Sequence, residues 1–264
     1  MKLDEKTVVV TGGGSGIGRE LVLALLAKGA RVAAVDLRQE GLNETAALAR
    51  AGDRLSLHIA DISDRDAVLA LPAAIAARHG AVDGLINNAG IIQPFVHFSE
   101  LDFAAIDRMV AINLMGTINM TKAFLPALKA RPEAHLANVA SMGGFMPFPG
   151  QSMYGAAKAG VKLLTEALYA ELAETKVGVS VVMPGAIRTQ IMANSGIGDR
   201  AMAESPEAAS RTLPAPEAAR IILAGIEANR LHILVGKDAN MLFKLWRLMP
   251  EKSIRFIQKQ MARR

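Results

Sequence analysis

The sequence contains no cysteine, one tryptophan and two tyrosines. Without cysteine there is neither a disulfide framework nor a thiolate metal site, and no metal is expected. Long apolar runs are also missing. The start, MKLDEKTVVV, sets a charged stretch before a three-residue apolar run, too short for a signal peptide. No other run approaches membrane-spanning length, so the expectation is a soluble, cytoplasmic protein. The body lacks an excess of charge. Residues 237–264 hold eight Lys or Arg and two acids, so of the net +5 the first 236 residues carry about −1. The basic balance describes a tail, and no nucleic-acid partner is expected. Internal repeats and low-complexity linkers are absent as well. What remains is a chain of 264 residues, half apolar, long enough to bury a substantial core.

Short β-rich runs alternate with helix-like stretches. The strand candidates are residues 7–11, 31–36, 54–60, 84–90, 134–141, 177–185 and 231–236. Between them, segments such as 19–28 and 154–175 repeat apolar residues every three or four positions. Strands apolar on both faces and separated by helices imply a parallel sheet covered on both sides. Right-handed crossovers make it a Rossmann-like, doubly wound α/β sheet of about seven strands. One long irregular stretch, 186–216, reads as a substrate loop or lid. The expected organisation is a single dinucleotide-binding and catalytic domain over 1–239, followed by a basic amphipathic helical extension, 240–264.

VVVTGGGSGIGREL, residues 8–21, places its glycines where a helix should begin. Gly12, Gly14, Ser15, Gly16, Ile17 and Gly18 could bring backbone N–H groups to an anion at a helix N-terminus. A purely structural turn needing positive φ is the alternative. The strict G-x-G-x-x-G spacing is absent. The next strand ends in Asp36, 18 residues after Gly18 and followed by Leu37. A carboxylate there can accept hydrogen bonds from an adenosine ribose and repel a 2′-phosphate, although a solvent-facing Asp at a strand end reads the same way. The pattern favours NAD. Arg38 keeps NADP open, since a guanidinium could accommodate the phosphate.

Tyr154 and Lys158 stand four apart at the start of a helical stretch and share one face. An ammonium close to a phenol lowers its pKa from about 10 and suits it to proton transfer. An ordinary surface pair has the same spacing. Ser141 closes the strand candidate 134–141. The C-terminal ends of parallel strands form the ligand crevice, so Ser141, the end of 84–90 and the glycine loop should share one edge.

Together these residues resemble the short-chain dehydrogenase/reductase family over roughly residues 5–236. The family's TGxxxGIG is matched by Thr11 to Gly18 and its NNAG by Asn87-Asn88-Ala89-Gly90. Its helix asparagine is matched by Asn113, its serine by Ser141 and its YxxxK by Tyr154 and Lys158. Pro184-Gly185 followed by Thr189 matches its PG motif. The resemblance implies Tyr154 as general acid/base. Lys158 would bind the nicotinamide ribose and lower the tyrosine's pKa, and Ser141 would hydrogen-bond the substrate oxygen. Asn113 would help to hold a water connecting the lysine to solvent. It further implies that Thr189 and Ile187, beside Pro184 and Gly185, position the carboxamide. Asp61 and Ile62 would contact the adenine, and Asn88, Ala89 and Gly90 the adenosine ribose side. There are two departures: the first of the family's paired serines is Ala140, and Arg131 to His135 replaces a frequent glycine. No function is attached to His135, which is expected at the surface.

Gln93 after NNAG, Phe145 and Met146 after the serine strand, and Met192 in the long loop are the candidate substrate contacts. This apolar wall, without a well-placed cation, suggests an uncharged, fairly hydrophobic secondary alcohol or ketone. The expected function is NAD(H)-dependent hydride transfer between nicotinamide C4 and that substrate. An NADP(H)-dependent ketone reductase and a non-catalytic nicotinamide-binding regulator are the alternatives. By analogy with the family, a homotetramer or homodimer is expected. Pro250 divides the tail into two short helices. Their basic, Trp- and Phe-bearing pattern fits packing or oligomer contact, a peripheral membrane surface, or a lid over the pocket.

Overall fold

The runs that read as strands are rich in Val, Ile and Ala and are buried on both sides, so they pair only within a covered sheet. A computed structural model, which describes residues 1–197 and 212–261, forms them into seven parallel strands. These are β1 (Thr7–Thr11), β2 (Arg31–Asp36), β3 (Leu55–Ile59), β4 (Gly84–Asn87), β5 (Ala134–Val139), β6 (Val177–Pro184) and an edge strand, His232–Val235. Their order is β3-β2-β1-β4-β5-β6-edge, with β1 flanked by β2 and β4. This is the doubly wound topology, whose switch point lies between β1 and β4.

Helices cover both faces. α1 (Gly16–Ala27) and α2 (Gln39–Ala49) lie on one side with helix Ala215–Glu227, burying Leu21, Leu25, Leu42, Ile222 and Leu223 against Val8, Val10 and Val32. The other face carries α3 (Arg65–His79), α5 (Thr117–Lys129) and α6 (Ser152–Glu171). There Ile75, Met120, Phe124 and Leu168 meet Val9, Leu85 and Leu136. α4 (Phe103–Met109) runs into α5 through a π-helical stretch, Val110–Gly116.

Most strand limits match the sequence expectation within a residue or two. The segment 84–90 is the exception, because β4 stops at Asn87. Thr11 Oγ1 accepts hydrogen bonds from the backbone N–H groups of Asn88 (2.9 Å) and Ala89 (3.0 Å), which turns the chain off the ladder. His135 is a correction: it is buried, not at the surface, because β5 is a central strand covered on both faces. Its Nε2 lies 2.9 Å from Ser180 Oγ, and burial pulls its pKa down to about 3.

After Pro184, a two-residue strand Ile187–Arg188 pairs with Leu213–Pro214, and a short helix, Ile191–Asn194, lies between them. Residues 198–211 of the expected lid over 186–216 lie outside the described residues. The C-terminal residues form two helices, Lys237–Leu248 and Pro250–Met261, which lie against α6 beside the edge strand. Leu242 and Ile257 are buried with Val161, Val181 and Met183. Burial of each such side chain contributes about 1.5–3 kcal/mol. No described helix is long and apolar enough to cross a membrane.

Candidate active site

The glycine loop joins β1 to α1 by close backbone approach. Gly12 has φ +69°, and a Cβ on Gly18 would fall 1.9 Å from Gly12 O, so only glycine fits that position. Ser15, at the N-cap of α1, is extended and makes no side-chain cap, which leaves the helix's first N–H groups open to an anion. Asp36 ends β2 against this loop. Its Oδ2 accepts from Gly14 N (2.9 Å) and its Oδ1 from Arg38 N (3.0 Å). The Arg38 side chain is exposed, and Leu37 is exposed beside it. Arg19, the other guanidinium at the loop, is engaged by Gly14 O and by Glu44 and Thr45.

Across the switch point, Asn88 Nδ2 donates to Thr11 O at 3.0 Å and stands over Gly12 and Gly18. Asp61 is turned inward on Ser63, its Oδ1 accepting from that residue's N–H (2.8 Å) and hydroxyl (2.7 Å). Ile62 is buried against Gly116 of the π-helical stretch. Thr189 packs on Gly16, so the segment after β6 returns to the glycine loop. Asn194 Nδ2 also reaches Ser15 Oγ (2.9 Å), and Ser195 Oγ accepts from Ile92 N (2.9 Å). The helix Ile191–Asn194 thus bridges the crevice.

The polar residues of β5 and α6 meet at the same edge. Ser141 follows β5, and its Oγ accepts from Gly143 N at 3.0 Å. The hydroxyl proton is then free to turn toward the Tyr154 side chain, whose ring meets Ser141 Oγ around Gly143. Burial raises the pKa of Tyr154, and the neighbouring Ser141 hydroxyl opposes that rise. Lys158 lies one turn further along α6, buried, with Nζ donating to Val139 O at 2.9 Å. Burial lowers its pKa to about 8.

Asn113 sits in the π-helical stretch, a local widening often found at functional sites. Its side chain pairs with both backbone groups of Ile91, each at 2.9 Å. A Cβ on Gly90 would lie 2.7 Å from Asn113 Oδ1 and 3.3 Å from Lys158 Nζ, so these two residues flank the turn after β4. Gly144 lies against the backbone of Lys158 and Gly155 against Gly143 O, which lets α6 close onto the turn after β5. An internal chain, Asn87 Nδ2 to Asn138 Oδ1 (2.8 Å) and Asn138 Nδ2 to Thr165 Oγ1 (3.0 Å), ties β4, β5 and α6 together.

The expected substrate wall is redistributed. Gln93 is fully buried, and its Oε1 accepts from Met153 N and Tyr154 N, both at 2.9 Å, so it caps α6. Phe145 makes an edge-to-face contact with Phe243 at 5.1 Å, and Met146 is buried in the same cluster. Met192 remains half-buried beside the crevice. Asp238, which carries no motif in the sequence, was missed. Its Oδ2 accepts from Ala186 N at 2.7 Å, against Gly185.

A glycine cradle that no Cβ could enter, an uncapped helix N-terminus and a carboxylate at the end of β2 fit a nicotinamide dinucleotide. With Ser141 and Tyr154 joined at the same edge, the arrangement defines an oxidoreductase acting on CH–OH or C=O groups. Comparison with known proteins gives the same class. The family model described as short chain dehydrogenase matches residues 6–199. The chain is 36% identical to "Putative oxidoreductase SadH" of Mycobacterium tuberculosis, over 98% of this chain and 96% of that one. It is also 36% identical to levodione reductase of Leifsonia aquatica, over 74% of each. A short-chain dehydrogenase/reductase from Burkholderia phymatum, solved in complex with NAD, superposes with a TM-score of 0.84 at 27% identity, covering 95% of this chain and 96% of that one. The chain belongs to the short-chain dehydrogenase family.

Proposed function

We propose that the protein is an NAD(H)-dependent oxidoreductase interconverting an uncharged, fairly hydrophobic secondary alcohol and its ketone. The observation that carries this reading is the convergence of the Tyr154 ring and Ser141 Oγ on Gly143, where an added Cβ would lie 3.3 Å and 3.5 Å from them, beside buried Lys158. Bound in the crevice, a nicotinamide dinucleotide supplies the hydride acceptor or donor at its C4. Gly12, Gly14, Ser15, Gly16, Ile17 and Gly18 would hold its pyrophosphate, with Asp36 and Leu37 at the adenosine ribose. Asp61 and Ile62 would meet the adenine, and Asn88, Ala89 and Gly90 the adjoining ribose. Pro184, Gly185, Ile187 and Thr189 would hold the carboxamide.

Tyr154 takes the proton of the alcohol hydroxyl, or returns it to the carbonyl oxygen in the reverse direction. Ser141 donates a hydrogen bond to that oxygen, where negative charge develops. Lys158 binds the nicotinamide ribose and supplies the positive charge that favours the phenolate. Asn113 holds a water between that lysine and solvent. Support for an apolar substrate comes from half-buried Ile92, Met142 and Met192, on the segments following β4, β5 and β6. The preference for NAD rests on the Asp36 carboxylate, fixed by two backbone N–H groups where a 2′-phosphate would stand. The same reading takes the enzyme to be cytoplasmic and a homodimer or homotetramer.

The test is Tyr154→Phe, assayed by reduced-nicotinamide absorbance across a panel of secondary alcohols and ketones. Turnover should fall by on the order of 10²–10⁴, while NADH binding followed by fluorescence stays unchanged. Retained turnover contradicts the assignment. Turnover confined to anionic substrates removes the apolar-substrate reading.

A further inference from the structure

The two C-terminal helices expose a surface that the fold does not use. Helix Lys237–Leu248 is anchored through Ala239 and Leu242, and helix Pro250–Met261 through Ser253 and Ile257. Away from these anchors, Leu248 is 78% exposed, Met241 57%, Phe256 43% and Ile254 42%. Between them stand Lys237, Lys244, Arg247, Lys252, Arg255 and Lys259, all exposed. Among the described residues none of these six cations is in an ion pair, and Arg247 lies over the Phe243 ring at 5.7 Å. Beside helix Ala215–Glu227 the surface opens into a groove of about 930 Å³, lined by Ile221, Leu245, Leu248 and Phe256 together with Lys237, Lys244 and Glu217, the last paired with Arg220.

We propose that this face docks on an anionic lipid surface, with Met241, Leu248 and Phe256 entering the headgroup layer and the lysines and arginines meeting lipid phosphates. Charge selects this occupant over a second copy of the chain. A two-fold contact would set the patch against itself, six cations and one acid, Glu251, facing the same set. A bilayer with anionic headgroups matches both features of the face: apolar side chains that enter a short way, and cations that stay at the phosphate level. The interleaving of the two residue types also differs from a protein interface, which gathers its apolar residues at a centre and excludes charge from it.

The experiment is co-sedimentation of the full chain with vesicles of two parts phosphatidylcholine to one part phosphatidylglycerol, and with phosphatidylcholine vesicles alone. Each is run at low salt and at roughly 0.5 M NaCl, where the Debye length falls well below 10 Å. Binding is expected only to the anionic vesicles at low salt. Each cation removed should weaken it about fivefold, so Lys244→Glu/Arg247→Glu/Lys252→Glu abolishes it. Leu248→Ser/Phe256→Ser should weaken it at least tenfold. These side chains are exposed, and thermal midpoints equal to the parent's verify that the variants are folded. Equal binding to both vesicle types, or undiminished binding by the charge variant, overturns the proposal. So does a fall in oligomeric state of Leu248→Ser/Phe256→Ser by sedimentation velocity, which would assign the face to a second copy. The outcome is independent of cofactor or turnover, so it leaves the functional reading untouched.

Discussion

Gln93 offers the sharpest separation between a binding role and a structural one. Its Oε1 serves two N–H groups in the first turn of α6, those of Met153 and Tyr154, and its Nε2 donates to Gly150 O at 3.1 Å. Gln151, the N-cap residue, gives no side-chain cap, so the helix carrying Tyr154 depends on a residue from the loop after β4. Gln93→Met nearly conserves volume and removes every one of these contacts. Gln93 is itself fully buried, which restricts water's access to the position of the lost acceptor. A buried group left unsatisfied costs about 1–3 kcal/mol, so two N–H groups together predict a loss of about 2–6 kcal/mol. At about 2–4 °C per kcal/mol in a chain of this size, the thermal midpoint falls by roughly 4–24 °C. Because the frayed turn contains Tyr154, kcat should fall as well, with little change in KM. Urea unfolding and steady-state kinetics on the variant measure both. An unchanged unfolding midpoint together with a raised substrate KM refutes the capping argument and returns Gln93 to the substrate wall.

Asp36→Ala removes the carboxylate that excludes a 2′-phosphate, so kcat/KM with NADP should rise relative to NAD; an unchanged ratio removes Asp36 from cofactor choice. Lys158 should titrate near pH 8 in the cofactor-free protein, seen as one lysine ¹³Cε resonance that disappears in Lys158→Met; no lysine titrating well below the usual 10.5 contradicts its burial. His135, neutral in the fold with a pKa of about 3, binds its proton more readily when the chain unfolds. Stability should therefore fall as pH drops from 6.5 towards 3, by up to about 1.4 kcal/mol per pH unit. His135→Gln should flatten that slope between pH 6.5 and 5, and an identical slope in parent and variant counts against it.

The elements that position the site were legible in the sequence because their signals are local. Apolar runs bounded by Gly and Asp marked β1, β2 and β4, and apolar spacing marked α1 and α6. The placement of Asp36 and Ser141 at strand ends, and of Tyr154 and Lys158 on one helix face, could be read in the same way. What could not be read depended on distant partners. Gln93 and Met146 lie on segments that do reach the crevice edge, but a residue's position after a strand gives no indication of whether its side chain turns outward or into the protein. His135 looked like a surface residue because its partner, Ser180, is on β6, 45 residues away. Asp238 had no signal, since its contact is a backbone N–H with no sequence of its own.

That contact has a consequence for how the molecule can be cut. Helix Lys237–Leu248 begins beyond the last strand, yet its first turn grips Ala186 in the segment proposed to hold the carboxamide, and Phe243 covers Phe145 four residues after Ser141. A chain shortened at residue 239 would keep Asp238 but lose the helix that aims it. The crevice would then have a loosened wall on its nicotinamide side, and Phe145 and Met146 would face solvent. Helix Lys237–Leu248 thus braces the proposed catalytic edge, so a variant meant to silence the proposed lipid-facing surface must alter its exposed side chains and leave its length alone.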